Sequence, residues 1–165
     1  TWPLAGECAA TAAALAQIPL SVHARHSQVE IFSAFGRITP GNFYRHREGV
    51  YRDEATNSDL FFITLEKSER EYSPSTLYKD YAISPELVHW ESQSTTSQAS
   101  ATGQRYIHHV RHGGNILLFV RQRRLACGGP SIVSAAGPAS VSSNTSGSPV
   151  GCASSVITVV IGVLR

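Results

Sequence analysis

The stretch Asp59-Leu60-Phe61-Phe62-Ile63-Thr64-Leu65-Glu66 decides the fold. From Leu60 to Leu65 it is a continuous apolar run, without the alternation that would leave one face in water. A run of this length reads as a central strand buried on both faces. Downstream, Gln104–Val110 and Asn115–Arg121 read as the two strands of a hairpin across His112-Gly113-Gly114. On the first of these, Arg105, Ile107 and His109 share one face, and Tyr106 and His108 share the other. Upstream, Ser27 and Glu30 make a capping box that opens a helix from Ser27 to Phe35. Val29, Phe32 and Phe35 supply its apolar face, and Gly36 ends it. Ser73-Pro74 and Ser84-Pro85-Glu86 each pair a serine cap with a proline at the first helical position. The second predicts a single helical turn through Trp90, which anchors the core. The expected fold is α+β: a twisted, mostly antiparallel sheet or open barrel with one or two packed helices.

The 165 residues suit one domain. Three segments are expected. Residues 1–20 form an Ala-rich N-terminal segment, a short helix or a leader that ends near Pro19. Residues 21–125 form the core domain. Residues 126–165 form a tail of Gly, Ser, Ala and Val in which no charged side chain occurs from Ala126 to Leu164. With so little bulk, this tail is either a weak β segment that completes the sheet or a poorly packed end. Deleting residues 144–165 is expected to leave a folded domain. Cys8, Cys127 and Cys152 have neither metal spacing nor a disulfide framework, which points to a reduced, cytoplasmic setting. No segment reads as a secretion signal or a bilayer span.

A net charge of +2 is too small to identify a nucleic-acid partner. The kind of charge is more informative. Lysine occurs only at Lys67 and Lys79, and every other cation is arginine. Arginine makes bidentate contacts to phosphate and guanine. A GC-rich genome would produce the same bias.

The segment from about Val22 to Arg124 resembles an uncharacterised bacterial domain. That domain lies C-terminal to superfamily-two helicase cores of the restriction kind, often with a phospholipase-D-like nuclease. The resemblance rests on the run 59–67, on Tyr72-Ser73-Pro74, Tyr78 and 80–85, and on His89-Trp90-Glu91-Ser92-Gln93-Ser94. It continues through Thr102-Gly103-Gln104-Arg105-Tyr106 and Leu117–Arg121, and departs after Arg124. The helicase and nuclease are absent from this chain. What the resemblance implies is the appended domain alone, in a company of translocases and nucleases that associates it with DNA.

Several constellations fit that association. Arg45-His46-Arg47, preceded by Phe43-Tyr44, could track phosphates with an aromatic to stack, or form a solvated loop paired with Asp53 or Glu54. Arg105 and His109, with Arg111 beyond them, fit a β-ribbon set in a groove, or an exposed edge kept soluble by charge. His89 and Gln93 either read a base edge or hold the loop that follows Trp90. Tyr72 with Pro74, and Tyr81 with Pro85, could wall a pocket for a modified backbone beside Arg45, Arg47 or Arg105. The two cation groups are expected to flank one concavity, where Arg105 is exposed and contributes little to folding. His108 and His112 have helical metal-ligand spacing in a strand context, where that geometry fails. Asp59, Glu66 and Lys67 invite a nuclease reading, but Glu66 directly precedes Lys67, so on a strand the two point apart.

The expected function is a DNA-binding recognition module of a bacterial restriction or defence system. It binds double-stranded DNA, and the sharper version reads a phosphorothioate linkage or a methylated base. It is expected to be no enzyme and to need no metal or cofactor. It could partner a helicase or nuclease subunit. The alternatives are a regulatory domain that docks on a helicase, and a metal-dependent nuclease.

Overall fold

A computed structural model describes residues 15–21, 24–42, 46, 49–66, 80–84, 87–92, 96–123, 132–143 and 158–163; at 82, 84, 87, 123, 132–143 and 158–163 only the backbone is considered. In chain order the elements are β1 (Arg25–Ser27), α1 (Gln28–Ala34), β2 (Val50–Asp53), β3 (Ser58–Glu66), β4 (Tyr81–Ser84) and β5 (Leu87–Glu91). They continue with α2 (Ala101–Ile107), a 3-10 turn η1 (His109–His112), β6 (Asn115–Arg123), β7 (Ile132–Ser143) and β8 (Thr158–Val163). The strands form one open sheet in the order β2-β3-β6-β7-β8-β5-β4, with β1 paired on β7. The β3–β6 pair is parallel and the other pairs are antiparallel. The class is α+β, as expected.

The apolar run is the central strand that its composition predicts. Alternate residues of β3 enter two cores. Leu60 packs with Ile31 of α1 and Phe119 of β6 on one face. Phe61 and Ile63 pack with Ile116, Leu118, Tyr106, Val88 and Trp90 on the other. β5 lies well along the sheet from β3, yet the Trp90 ring is 4.5 Å from that of Phe61. The sheet therefore curls until its far strands close over its own face. The strand β7 makes the corner. Its residues 134–138 pair with β6 and its residues 139–143 pair with β8. Gly137 and Pro138 lie at the changeover, where the ladder also slips by one residue between Leu118 and Phe119. Proline lacks an N–H, and such positions tolerate it where a central ladder does not.

The capping box forms as its sequence signature predicts. The Ser27 hydroxyl accepts from the Glu30 N–H at 3.2 Å, and the Glu30 carboxylate accepts from the Ser27 N–H at 2.6 Å. The hydrogen bonds from Ser27 hold the exposed Glu30 carboxyl below its usual range. The buried face of α1 is Ile31 and Phe32, whereas Val29, expected to face the core, is exposed. Gly36 takes a φ of +68°, the left-handed stop. Ser27→Ala is expected to lose about 1 kcal/mol of stability, measurable by denaturant titration, through an unsatisfied N–H at the helix start.

Two expectations are overturned here. The strand expected over Gln104–Val110 is helix α2 followed by η1. The Ser100 hydroxyl accepts from the Gly103 N–H at 3.0 Å and caps α2. The buried positions Gly103, Tyr106 and His109 recur every three residues, a helical spacing. Gly113, with φ 61°, stops the turn and does not make a hairpin. The second correction concerns Leu87–Glu91, a strand where a helical turn was expected. Val88 and Trp90 are both buried, the period of two that a strand requires. The uncharged tail contributes β7 and β8, and β8 lies between β7 and β5 inside the sheet. Residues 1–14 and the Ser73-Pro74 cap lie outside the described residues.

Candidate functional site

The β2–β3 turn and the α2–η1 segment meet at the end of the sheet where the parallel strands β3 and β6 begin. Arg52 and Asp59 are cross-strand partners and so share a face. Helix α2 lowers Arg105 onto the same carboxylate. Arg105 Nε donates to Asp59 Oδ2 and Nη2 donates to Oδ1, both at 3.0 Å. Arg52 Nη1 approaches Asp59 Oδ2 at 3.4 Å. Asp59 is only 1% exposed. A carboxylate so deeply buried stays charged only when paired and hydrogen-bonded, and two guanidiniums supply both conditions. For Arg105, burial opposes the charged form, but the hydrogen bonds and charge of Asp59 outweigh it and raise its pKa. Burial, aided by the Asp59 charge, pushes the neighbouring Tyr106 up to about 12.

Asn57 joins the two segments. Its φ of 48° places it in the left-handed region, which asparagine tolerates in turns. Its Oδ1 accepts from Arg52 Nη2, and its Nδ2 donates to the His112 carbonyl at 3.1 Å. Its own carbonyl accepts from the Asn115 N–H at 3.0 Å. The Gly114 N–H donates to the His109 carbonyl at 2.8 Å, which closes η1 on itself beside this junction. The turn η1 is thus pinned to the β2–β3 tip, while Val110, Arg111 and His112 remain exposed.

The opposite face of the same turn carries a second buried acid. Asp53 Oδ2 accepts from the Thr56 N–H at 2.9 Å and from its hydroxyl at 2.7 Å, and Arg37 Nη2 lies 3.4 Å from Oδ1. These bonds shape the turn locally, in the manner of an aspartate capping the backbone three residues on.

The described residues expected to form one site do not all lie together. His46 packs among Phe32, Tyr51 and Phe62, with ring centroids 5.4–5.8 Å away. That is the α1 face of the sheet, opposite to the face on which Arg105 meets Asp59, so His46 and Arg105 do not flank one concavity. Arg105 itself is tied down and not free on a ribbon. His109 is buried, and its Nδ1 donates to the Tyr106 carbonyl at 2.9 Å. His89 stacks on Tyr81, its partner across β4–β5, with centroids 4.5 Å apart. Arg111 is exposed. Arg45, Arg47, Tyr72, Pro74 and Gln93 lie outside the described residues. Sequence reasoning missed Arg52 and Asn57. The signal available was Asn57 directly before the strand that carries Asp59, with Arg52 at the matching place on the other arm.

Among the described residues, no group of three or more His, Cys, Asp or Glu is placed to hold a metal ion. Asp59 and Glu66 are seven residues apart on β3, so they face opposite sides and stand roughly 23 Å apart. Asp59 is committed to arginine, and Glu66 accepts from Gln122 at the far end. Among the described residues no helix is long and apolar enough to cross a membrane.

No curated protein matches this chain. Residues 20–128 match the family described as Domain of unknown function (DUF3427), a span that takes in β1 to β6, both helices and the Asp59 cluster. The chain belongs to the DUF3427 family.

Proposed function

We propose that the chain is a DNA-recognition module that binds the duplex through the α2–η1 turn, and that it has no catalytic step of its own. One observation carries the reading. Arg111 and His112 project from a turn that Asn57 fastens to the Arg52–Asp59–Arg105 cluster, so cations from two segments are gathered on one rigid end of the sheet. The buried carboxylates of Asp53 and Asp59 are already engaged by arginines. The exposed side chains of η1 therefore present positive charge without a matching acid on that turn. Arginine suits phosphate, because its planar guanidinium meets two oxygens at once. The engagement of Asp59 by two guanidiniums favours a binding role over a nuclease one, since a metal would have to displace them. The resemblance to domains appended to restriction-type helicases supports a place in a restriction or defence system.

The test is duplex binding by fluorescence anisotropy with chelator present. Log affinity should fall linearly with log salt, by roughly 0.9 for each phosphate neutralised. Arg111→Ala should lower that slope by about one, at unchanged melting temperature. Affinity that stays flat between low and physiological salt overturns the proposal. Plain, methylated and phosphorothioate duplexes compared side by side show whether a modification is read. A second reading, docking on a helicase partner, draws on Tyr81 and Ile83. Each is 50% exposed on β4, the end of the strand order.

A further inference from the structure

The Asp59 cluster carries more positive charge than its buried acid cancels. Arg52 and Arg105 contribute two cations against one buried carboxylate. Among the described residues a second acid, Glu54, has its Oε1 3.4 Å from Arg52 Nε, and its side chain is 80% exposed. Arg105 engages Asp59 through Nε and Nη2, so its Nη1 takes no part in that pair, and the side chain keeps 32% of its surface in solvent. An acid held at one point in water is a weak partner and is easily exchanged. An acid held from two sides beneath the surface is not.

We propose that Arg52 and Arg105 form a seat for one backbone phosphate of DNA, with Asp59 as the buried anchor that orients both guanidiniums and Glu54 as an exposed stand-in that the phosphate replaces. The proposal rests on the reading of the chain as a DNA-recognition module and names a specific phosphate position within it. The chemistry is that of an anchored arginine pair. Two of the nitrogens of Arg105 are spent on holding its plane, and the remaining edge meets the ligand already oriented. Asn57 does the same for Arg52 by accepting from Nη2. A phosphate arriving beside η1 gains both guanidiniums at once and releases Glu54 to water. Asp59 is thus a positioning residue, and Glu54 competes with the ligand.

The experiment compares duplex affinity at low salt for the full chain and for Glu54→Gln, Glu66→Gln, Arg105→Lys and Arg111→Ala, with a thermal melt of each. Glu54→Gln should bind about two- to fivefold more tightly, the scale of one exposed ion pair removed from competition. Glu66→Gln makes the same change of charge at the far end of β3 and should leave affinity unchanged. Arg105→Lys keeps the charge but loses the two-pronged hold on Asp59, and should weaken binding even where the protein remains folded. Equal gains from both glutamine variants would overturn the seat, because total charge would then explain them. Unchanged affinity in Glu54→Gln, with weakening in Arg111→Ala, would overturn the seat and leave the DNA reading standing. Absence of duplex binding by the unaltered chain would overturn the DNA reading, and the seat with it.

Discussion

Arg105→Ala is expected to destabilise the fold by about 2–4 kcal/mol, most of it through Asp59. Removing the guanidinium takes away two bonds of 3.0 Å from a carboxylate that has almost no access to water. Breaking a fully buried pair costs about 3–5 kcal/mol. The lower figure allows for the partial exposure of Arg105 and for Arg52, which still faces Asp59 at 3.4 Å. The loss corresponds to a fall of roughly 5–15 °C in melting temperature for a chain of this size. A double variant separates pairing from packing. In Arg105→Ala with Asp59→Asn the buried charge is gone, so part of the lost stability should return, and the two changes should be strongly non-additive. The measurement is a urea or thermal denaturation cycle over the four proteins. A change below about 0.5 kcal/mol in Arg105→Ala would place this side chain among ordinary surface residues. It would then match the expectation, drawn from the sequence, of an arginine free on a ribbon.

That expectation failed for a definite physical reason. As a strand, Gln104 to Val110 would put Arg105, Ile107 and His109 on one face and Tyr106 and His108 on the other, and a Gly-Gly pair follows as a hairpin turn would require. The same residues also place Gly103, Tyr106 and His109 at a period of three, and Ser100 offers a cap. Short segments support both periods, and the tertiary structure decides between them. Here the decision lies with Tyr106, whose ring meets Phe61 edge-on at 5.0 Å, and with the need of Asp59 for a partner. By contrast, β3 and α1 carried signals that nothing else imitates: a double-faced apolar run and a reciprocal capping box. Both formed where the sequence placed them.

The candidate site was harder to read for a related reason. Arginine, histidine and aspartate are visible in a sequence, but their mutual pairing is not. Asp59 and Arg105 are 46 residues apart, and Asn57 and His112 are 55 apart. His46 looked like part of a basic loop because Arg45 and Arg47 flank it, yet its ring lies in an aromatic cluster. The exposed Arg111 and His112 of η1 were visible as residues but not as a surface. It is the turn fastened by Asn57 that gathers them.

Truncation after Ser143 is expected to abolish cooperative unfolding, although it removes no charged side chain before Arg165. The deleted part contains β8, which pairs with β7 along one edge and with β5 along the other. Without it, β4 and β5 are a two-stranded hairpin with no sheet to join, an arrangement of marginal stability in water. Val88 and Trp90 belong to β5 and fill the core against Phe61. Once β5 is released, that core loses a wall and the curl of the sheet has nothing to close on. The truncated chain should retain much of its far-ultraviolet signal from β2, β3, β6 and the helices, while its thermal transition broadens or disappears and it binds a hydrophobic dye. A point substitution asks the same question of β8 alone. Val160 pairs with His89 on one side and with Ser142 on the other, so Val160→Pro removes an N–H from the interior of a ladder. It should lower the melting temperature steeply. A sharp transition at the original temperature in the truncated chain would show that the bland C-terminal segment contributes no strand the fold depends on.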